Sequence, residues 1–156
     1  MKLFKIKNVK KMMAALLINN GFDDFNLCNF KLSTMVDYDI DGKYNKEWDE
    51  YGDTYIRWKD IKQTIYCLIK GSKTPSRLKA VMLASDDMLL PEEELYELKG
   101  EDKLVLNIKF EKDELSVTTG ISMTSFSLDN NRKGKLWDEK VQRILDNLGL
   151  EYEELE

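Results

Sequence analysis

Residues 27–40 read LCNFKLSTMVDYDI, and from Cys28 to Ile40 the apolar residues fall mostly on alternate positions. An alternation of period two is typical of a strand that buries one face and exposes the other. Because about 13 residues is long for one strand, the stretch predicts two strands or one long bent strand. A short basic helix with an apolar stripe is predicted just before it, over about Val9–Asn19.

The same order, a basic helix followed by strands, occurs a second time farther along the chain. The repetition predicts one α+β domain, with helices packed on one face of a mostly antiparallel sheet. Its two halves are about 1–54 and 55–128. The predicted elements of the second half are a helix at 58–70 and strands at 76–84, 104–110 and 115–128, the last with its alternation reset at Gly120.

An added helix at 136–148 is predicted to follow the two halves. A basic loop at 130–135 precedes this helix, and a frayed acidic tail at 149–156 follows it. The acidic insertion at 84–101 is predicted to hold a short helix near its proline. In the first half, Asp41-Gly42 is typical of a hairpin turn.

Composition limits the classes of function open to this chain. Its 156 residues fit a single domain, and Cys28 and Cys67 have no paired spacing, which predicts reduced, buried thiols in a cytoplasmic protein. No stretch approaches the roughly 20 apolar residues that span a bilayer. The sequence has no histidine, which excludes Ser-His-Asp and Cys-His catalysis and His-containing zinc sites. We therefore predict a non-enzymatic protein with no cofactor and no membrane partner.

One acidic motif, Asp37-x-Asp39-x-Asp41-Gly42, resembles the opening of an EF-hand calcium loop. Such a loop closes with a bidentate Glu at about its twelfth position, where this sequence has Trp48. The residues before the motif are β-rich instead of helical, so we predict a solvated strand edge and no metal site.

Positive charge is concentrated in two segments, although the formal net charge is −5. Residues 1–18 hold five lysines and no acid, and residues 55–83 hold seven lysines or arginines against Asp60 alone. Helices that carry only positive charge are consistent with contact to a phosphate backbone. The alternative is that these lysines only keep the surface soluble. The candidate nucleic-acid contacts are Lys10, Lys11, Lys59, Lys62 and Lys70 on the helices, with Lys73 and Arg77 as anion contacts in the loop that follows.

Two stretches resemble parts of one domain of a sliding DNA clamp. Residues 56–62, IRWKDIK, look like the second helix of such a domain, and residues 111–128, EKDELSVTTGISMTSFSL, look like its closing pair of antiparallel strands. The resemblance covers about residues 1–128 and implies a ring-forming or DNA-encircling scaffold with its basic helices turned inward. The single domain, the acidic insertion and the added helix depart from the clamp pattern. The whole chain is also similar to a family of small uncharacterised proteins from Firmicutes.

Two functions follow from these patterns. The first is a binding or scaffold module that contacts DNA non-specifically through its basic helices. The second is a protein–protein adaptor that binds no nucleic acid. The salt dependence of binding distinguishes the two functions, because affinity from lysine–phosphate contacts falls steeply as the salt concentration rises and affinity from apolar docking does not. Self-association as a homo-oligomer is left open by the sequence.

Overall fold

The computed structural model describes residues 1–50, 54–69, 73–90, 103–122 and 130–155. The helices in these ranges are α1 (Val9–Leu17), α2 (Trp58–Leu68) and α3 (Asn130–Asn147), with a 3₁₀ turn at Asp86–Met88. The strands are β1 (Leu3–Ile6), β2 (Asn26–Ser33), β3 (Asp37–Asp41), β4 (Arg77–Leu83), β5 (Lys103–Glu111), β6 (Glu114–Ser122) and β7 (Tyr152–Leu155).

All of these strands belong to one open sheet in the order β3-β2-β4-β5-β6-β1-β7. Every pair of neighbours is antiparallel, which confirms the predicted α+β fold. β5 and β6 form a tight hairpin, in which Lys112 and Asp113 have φ angles of 54° and 61°. Positive φ at both turn residues matches the right-handed twist of the two strands.

One face of the sheet is buried and the other is exposed. On β5, Ile108 is fully buried and the next residue, Lys109, is exposed. On β4 the same change occurs between Leu78 and Lys79. Successive side chains of a strand point to opposite faces, so the alternation found in the sequence decides which face meets the helices.

α1 and α2 lie side by side and antiparallel on the buried face. Trp58 Nε1, at the start of α2, donates a hydrogen bond of 2.7 Å to the carbonyl of Leu16, near the end of α1. The Trp58 ring also packs on Phe30 of β2, with 5.7 Å between the ring centroids. α3 joins the same core, where Thr119 of β6 donates a hydrogen bond to Asp138. The three helices therefore cover one side of the sheet, and a single core lies between the two layers.

The C-terminal part of the chain differs from the sequence prediction in two elements. Residues 130–135, predicted as a loop, form the first turns of α3. Gly134, in these turns, lies close to the sheet, where an added Cβ would be 4.0 Å from Ile121 Cδ1. The tail is not frayed over its described residues, since Tyr152–Leu155 pairs with β1 as strand β7. Lys2 Nζ lies 2.9 Å from Glu154 Oε1 and offsets part of the negative charge of this strand.

Gly120 does not reset the alternation of β6. Gly120 pairs with Val105, and Ile121 pairs with Leu104, in an unbroken antiparallel register. Ile121 packs against the core, on the same face as Thr119. Two further predictions, the helix near Pro91 and the strand beyond Ser122, lie outside the described residues.

The hairpin between β2 and β3 turns before Asp37 and not at Asp41-Gly42, which was predicted as the turn. Gly42 follows β3 where the chain passes close to β2, and a Cβ there would lie 1.9 Å from the Leu27 carbonyl oxygen. Glycine is therefore required for close backbone approach.

The prediction of two buried thiols is wrong as well. Both cysteines are free, but Cys67 is exposed on α2 and Cys28 is only half-buried. β2 has an irregular register between Leu27 and Asn29, and this bulge turns Leu27 into the core in place of Cys28.

Candidate binding groove

An open groove of about 620 Å³ runs along α1 on the side of α2. Val9, Met13 and Leu17 line it from α1, because residues four apart on a helix share one face. The end of α2 contributes Tyr66 and Ile69, and the sheet below contributes Leu78 and Phe110.

α1 has more apolar side chains than the core covers. Met12 and Leu16 are fully buried against the sheet, whereas Met13 is half-buried in the groove and Ile18, directly after α1, is 63% exposed. On the α2 side, Tyr66 is 46% exposed. The apolar stripe of α1 is thus wide enough to face both the sheet and the groove. A concave apolar surface of this kind is the usual form of a binding site.

The rim of the groove has a positive end. Lys10 and Lys73 line it and are exposed, and neither forms an ion pair with a described residue. Asp113, in the β5–β6 turn, supplies an acidic group on the same rim. The groove therefore offers an apolar floor together with two ammonium groups that form no ion pair within the described residues.

Lys62, a predicted nucleic-acid contact, forms its contacts within this protein. Its ammonium lies 2.6 Å from Asp23 Oδ1 and donates a second hydrogen bond of 2.8 Å to the carbonyl of Asn19. The side chains of Lys62 and Asp23 are only 15% and 22% exposed. This lysine ties α2 to the segment that follows α1, instead of facing outward.

The other predicted contacts do not form one surface. Lys10 and Lys73 lie at the groove, and Lys59 is exposed on the first turn of α2. Lys11 extends toward the end of α3, since a Cβ built on Gly149 would lie 2.7 Å from its Nζ.

Two of the predicted residues stand apart from this group. Arg77 belongs to β4 and lies on the exposed face of the sheet, opposite the helices. Lys70 lies outside the described residues.

A row of lysines on the exposed face of the sheet was missed by the sequence analysis. Lys31 pairs with Lys79, and Lys79 pairs with Lys109, so that three lysines stand side by side on three neighbouring strands. The row continues through Ser116 to Lys5. Each of these lysines occupies a polar position of an alternating strand, which was visible in the sequence. Their alignment depends on the strand order and register, which the sequence did not reveal.

The acidic motif lies on β3, as predicted, with its three aspartates on the exposed face. Asp39 Oδ1 accepts a hydrogen bond of 2.9 Å from Asn29 Nδ2, and Asp41 Oδ1 accepts one of 2.9 Å from the Lys43 amide. Two of the three carboxylates thus accept hydrogen bonds from nearby residues of the same protein. In the described part of the chain, no group of three or more Cys, Asp or Glu side chains is placed to hold a metal ion.

Two titratable groups with shifted pKa values both hold β7 in place. Burial raises the pKa of Tyr152, and its hydrogen bond of 2.7 Å to Asp146 Oδ1 raises it further. The hydrogen bond to Glu154 raises the pKa of Lys2. Both groups thus help to attach β7 to its neighbours, and neither lines the groove.

A comparison with family models matches residues 15–153. The chain belongs to DUF5721. This family is described as one of unknown function, and its matched range includes α2 and three lysines of the row, Lys31, Lys79 and Lys109, but neither Lys5 nor the first turns of α1. No curated protein and no solved structure matches the chain. The clamp resemblance and the Firmicutes origin therefore stay predictions. Across the described ranges, none of the helices has the length and apolar character needed to cross a membrane.

Proposed function

We propose that this protein is a non-catalytic binding module, an adaptor whose groove beside α1 receives a helical segment of a partner protein. The observation that supports it is the open apolar groove itself, with Ile18 and Tyr66 exposed along it. Exposed apolar side chains that line a concave surface are typical of helix-in-groove recognition.

The size and charge of the groove specify the partner segment. α1 has nine residues and is therefore about 13 Å long. The groove alongside it has about the same length and fits two to three turns of a helix. The apolar floor selects side chains spaced three and four residues apart. Lys10 and Lys73 at the rim favour an acidic residue at that end of the segment.

Site-specific photo-crosslinking in the native cell tests this proposal. A benzoylphenylalanine at position 66, in the groove, should crosslink to a protein partner. The same group at position 48 serves as the control, because Trp48 is 81% exposed and does not line the groove. Crosslinks of equal yield from both positions, or none from position 66, would contradict the proposal.

A synthetic peptide that spans the crosslinked segment then measures the affinity of the groove. Met13→Glu should weaken binding at least tenfold, or about 1.4 kcal/mol, because it places a charge on the apolar floor. Tyr66→Ala, at a partly exposed position, repeats the test without risk to the core. Lys10→Gln with Lys73→Gln should weaken it about two- to fivefold, as expected for rim charges. An affinity that none of these changes alters would place the peptide elsewhere.

Duplex DNA contact through the helices is the second candidate. Lys10, Lys11 and Lys59 are exposed and form no ion pair with described residues, which leaves them available to phosphates. Duplex affinity of the wild type and of Lys10→Glu/Lys59→Glu across a salt series tests it. Binding that is lost in this variant and falls steeply with salt would support DNA contact. A cytoplasmic location completes the proposal, supported by the two free cysteines.

A further inference from the structure

The exposed face of the sheet brings like charges together in a way that folding alone does not favour. Lys31, Lys79 and Lys109 are direct cross-strand neighbours on β2, β4 and β5. Adjacent strands are about 4.8 Å apart, and like charges directly opposite one another destabilise a sheet. The chain nevertheless has lysines at three consecutive positions of the row.

The positive charge of this row is only partly neutralised. Lys109 lies 3.3 Å from Glu111 Oε2, and Lys5 lies 3.3 Å from Glu114 Oε1, both in exposed pairs. Lys31 and Lys79 form no ion pair with a described residue. Exposed ion pairs contribute little to stability, so the paired lysines can exchange their partners for a ligand.

A shallow depression of about 410 Å³ lies over part of the row. Lys31, Arg77, Lys79 and Lys109 line it, together with Ser33. Its acidic lining comes from the margins, where Asp37 and Asp39 belong to the edge strand β3 and Glu111 is paired with Lys109. Asp39 is the direct neighbour of Lys31 at one end of the row and Glu153 is the direct neighbour of Lys5 at the other, so the row is open across the sheet between these two acidic ends.

We propose that this row binds the phosphodiester backbone of single-stranded nucleic acid, independently of the groove on the other side of the molecule. From Lys31 on β2 to Lys5 on β1 the row crosses four strand spacings, or about 19 Å, which fits an extended polyanion. The outward positions along the row are lysine and serine. Tyr38 and Phe110 also line the depression, but Phe110 is buried in the core and Tyr38 packs against it, so neither ring is free to stack bases. Binding therefore does not depend on base sequence.

The twist of the sheet favours a single strand over a duplex. Neighbouring strands rotate by about 20–25°, so the row turns through roughly 90° between β2 and β1. A duplex is stiff over about 150 base pairs and can touch only part of such a row. A single strand bends freely and can follow all of it.

Fluorescence anisotropy with a labelled thymidine oligonucleotide of about 20 nucleotides tests the proposal across a salt series at fixed pH. Four lysines on a single strand give a logarithmic salt slope of about 3, and Lys31→Gln/Lys79→Gln should reduce it by about 1.4. At about 0.1 M salt the same change should weaken binding at least tenfold. Lys10→Gln/Lys59→Gln removes the same charge from the helix side and should leave the affinity within about twofold.

Each other outcome overturns the proposal. Wild-type protein that does not bind the oligonucleotide at low salt has no such site. Equal losses in the two double variants show an effect of net charge alone, and a larger loss in the helix variant places the contact on the helices. Tighter binding of a duplex, or of a polyglutamate peptide, assigns the row to a different ligand. Circular dichroism of all variants confirms that they are folded.

Discussion

Lys62 and Asp23 form a tie between α2 and the segment after α1. The ammonium group lies 2.6 Å from the carboxylate and 2.8 Å from the Asn19 carbonyl, just beyond the end of α1. Both side chains are largely shielded from water, so salt screens this pair less than a surface pair. A cation at this place also meets the negative end of the α1 dipole.

Lys62→Met should lower the free energy of unfolding by about 1–3 kcal/mol, because it leaves a shielded carboxylate and a carbonyl without their donor. Lys59→Met, on the exposed first turn of the same helix, is the matched control and should change it by less than about 0.5 kcal/mol. Urea denaturation measures both. Equal effects of the two substitutions would mean that the contacts of Lys62 add nothing to stability.

The sequence distinguished polar from buried positions, but it did not predict the partners of the polar residues. Lys62 lies on the polar side of a correctly predicted helix, and its partner Asp23 comes from a loop 39 positions away. The alignment of Lys31 with Lys79 likewise depends on two strands that are distant in sequence. The polar and apolar pattern of one helix or strand depends only on its own residues and can be read from the sequence. Which residues of two elements meet depends on how the elements pack, and this is known only from the folded structure.

β7 is a four-residue edge strand whose place depends on a few contacts. Tyr152 packs edge-on against Phe4 with 5.2 Å between the ring centroids, and its hydroxyl donates to Asp146 at the end of α3. Lys2 contacts Glu154 on the neighbouring strand. Its short length and acidic composition hid it from the sequence analysis, while the longer alternating stretches of β2, β5 and β6 were recognised.

Tyr152→Phe should destabilise the protein by about 1 kcal/mol near pH 8, since it removes the hydrogen bond to Asp146. The pKa of Tyr152 is raised above the ordinary tyrosine value of 10.0, so the folded state holds this proton more tightly than the unfolded state. Wild-type stability from this group is therefore present below the unfolded pKa and is lost as pH rises through the folded pKa.

The difference between wild type and Tyr152→Phe should accordingly stay constant below the ordinary tyrosine pKa of about 10 and shrink as the pH rises above it. Urea unfolding at several pH values measures it. A gap for Tyr152→Phe that widens with pH would contradict the direction of the shift.

Across the whole molecule, the arrangement of one helical layer on one sheet separates two surfaces of different chemistry. The helix side presents the apolar groove, and the opposite side presents the lysine row. The sequence predicted the layers, because the strands alternate and the helices have one apolar stripe. It did not predict the strand order, in which β1 from the start of the chain lies between β6 and β7.

Native-state hydrogen exchange should follow this strand order. Amides of β4 and β5, which have neighbours on both sides at the centre of the sheet, should exchange most slowly. Amides of the edge strands β3 and β7 should exchange fastest among the strands, because an edge opens without breaking the rest of the sheet. Mass spectrometry of proteolytic fragments resolves these segments. Protection of β7 equal to that of β5 would show that the sheet opens as a single unit.

The position of β1 has a consequence for synthesis on the ribosome. The Lys2 amide bonds to Thr119 Oγ1 across 117 positions of sequence, and β7 follows later still. At about 5–20 residues per second, translation leaves β1 without either neighbour for on the order of ten seconds. During this interval Phe4 and Ile6, both buried in the finished protein, have no sheet to join. A strand of only four residues presents a short unpaired edge to other chains, which limits the risk of aggregation in the nascent protein.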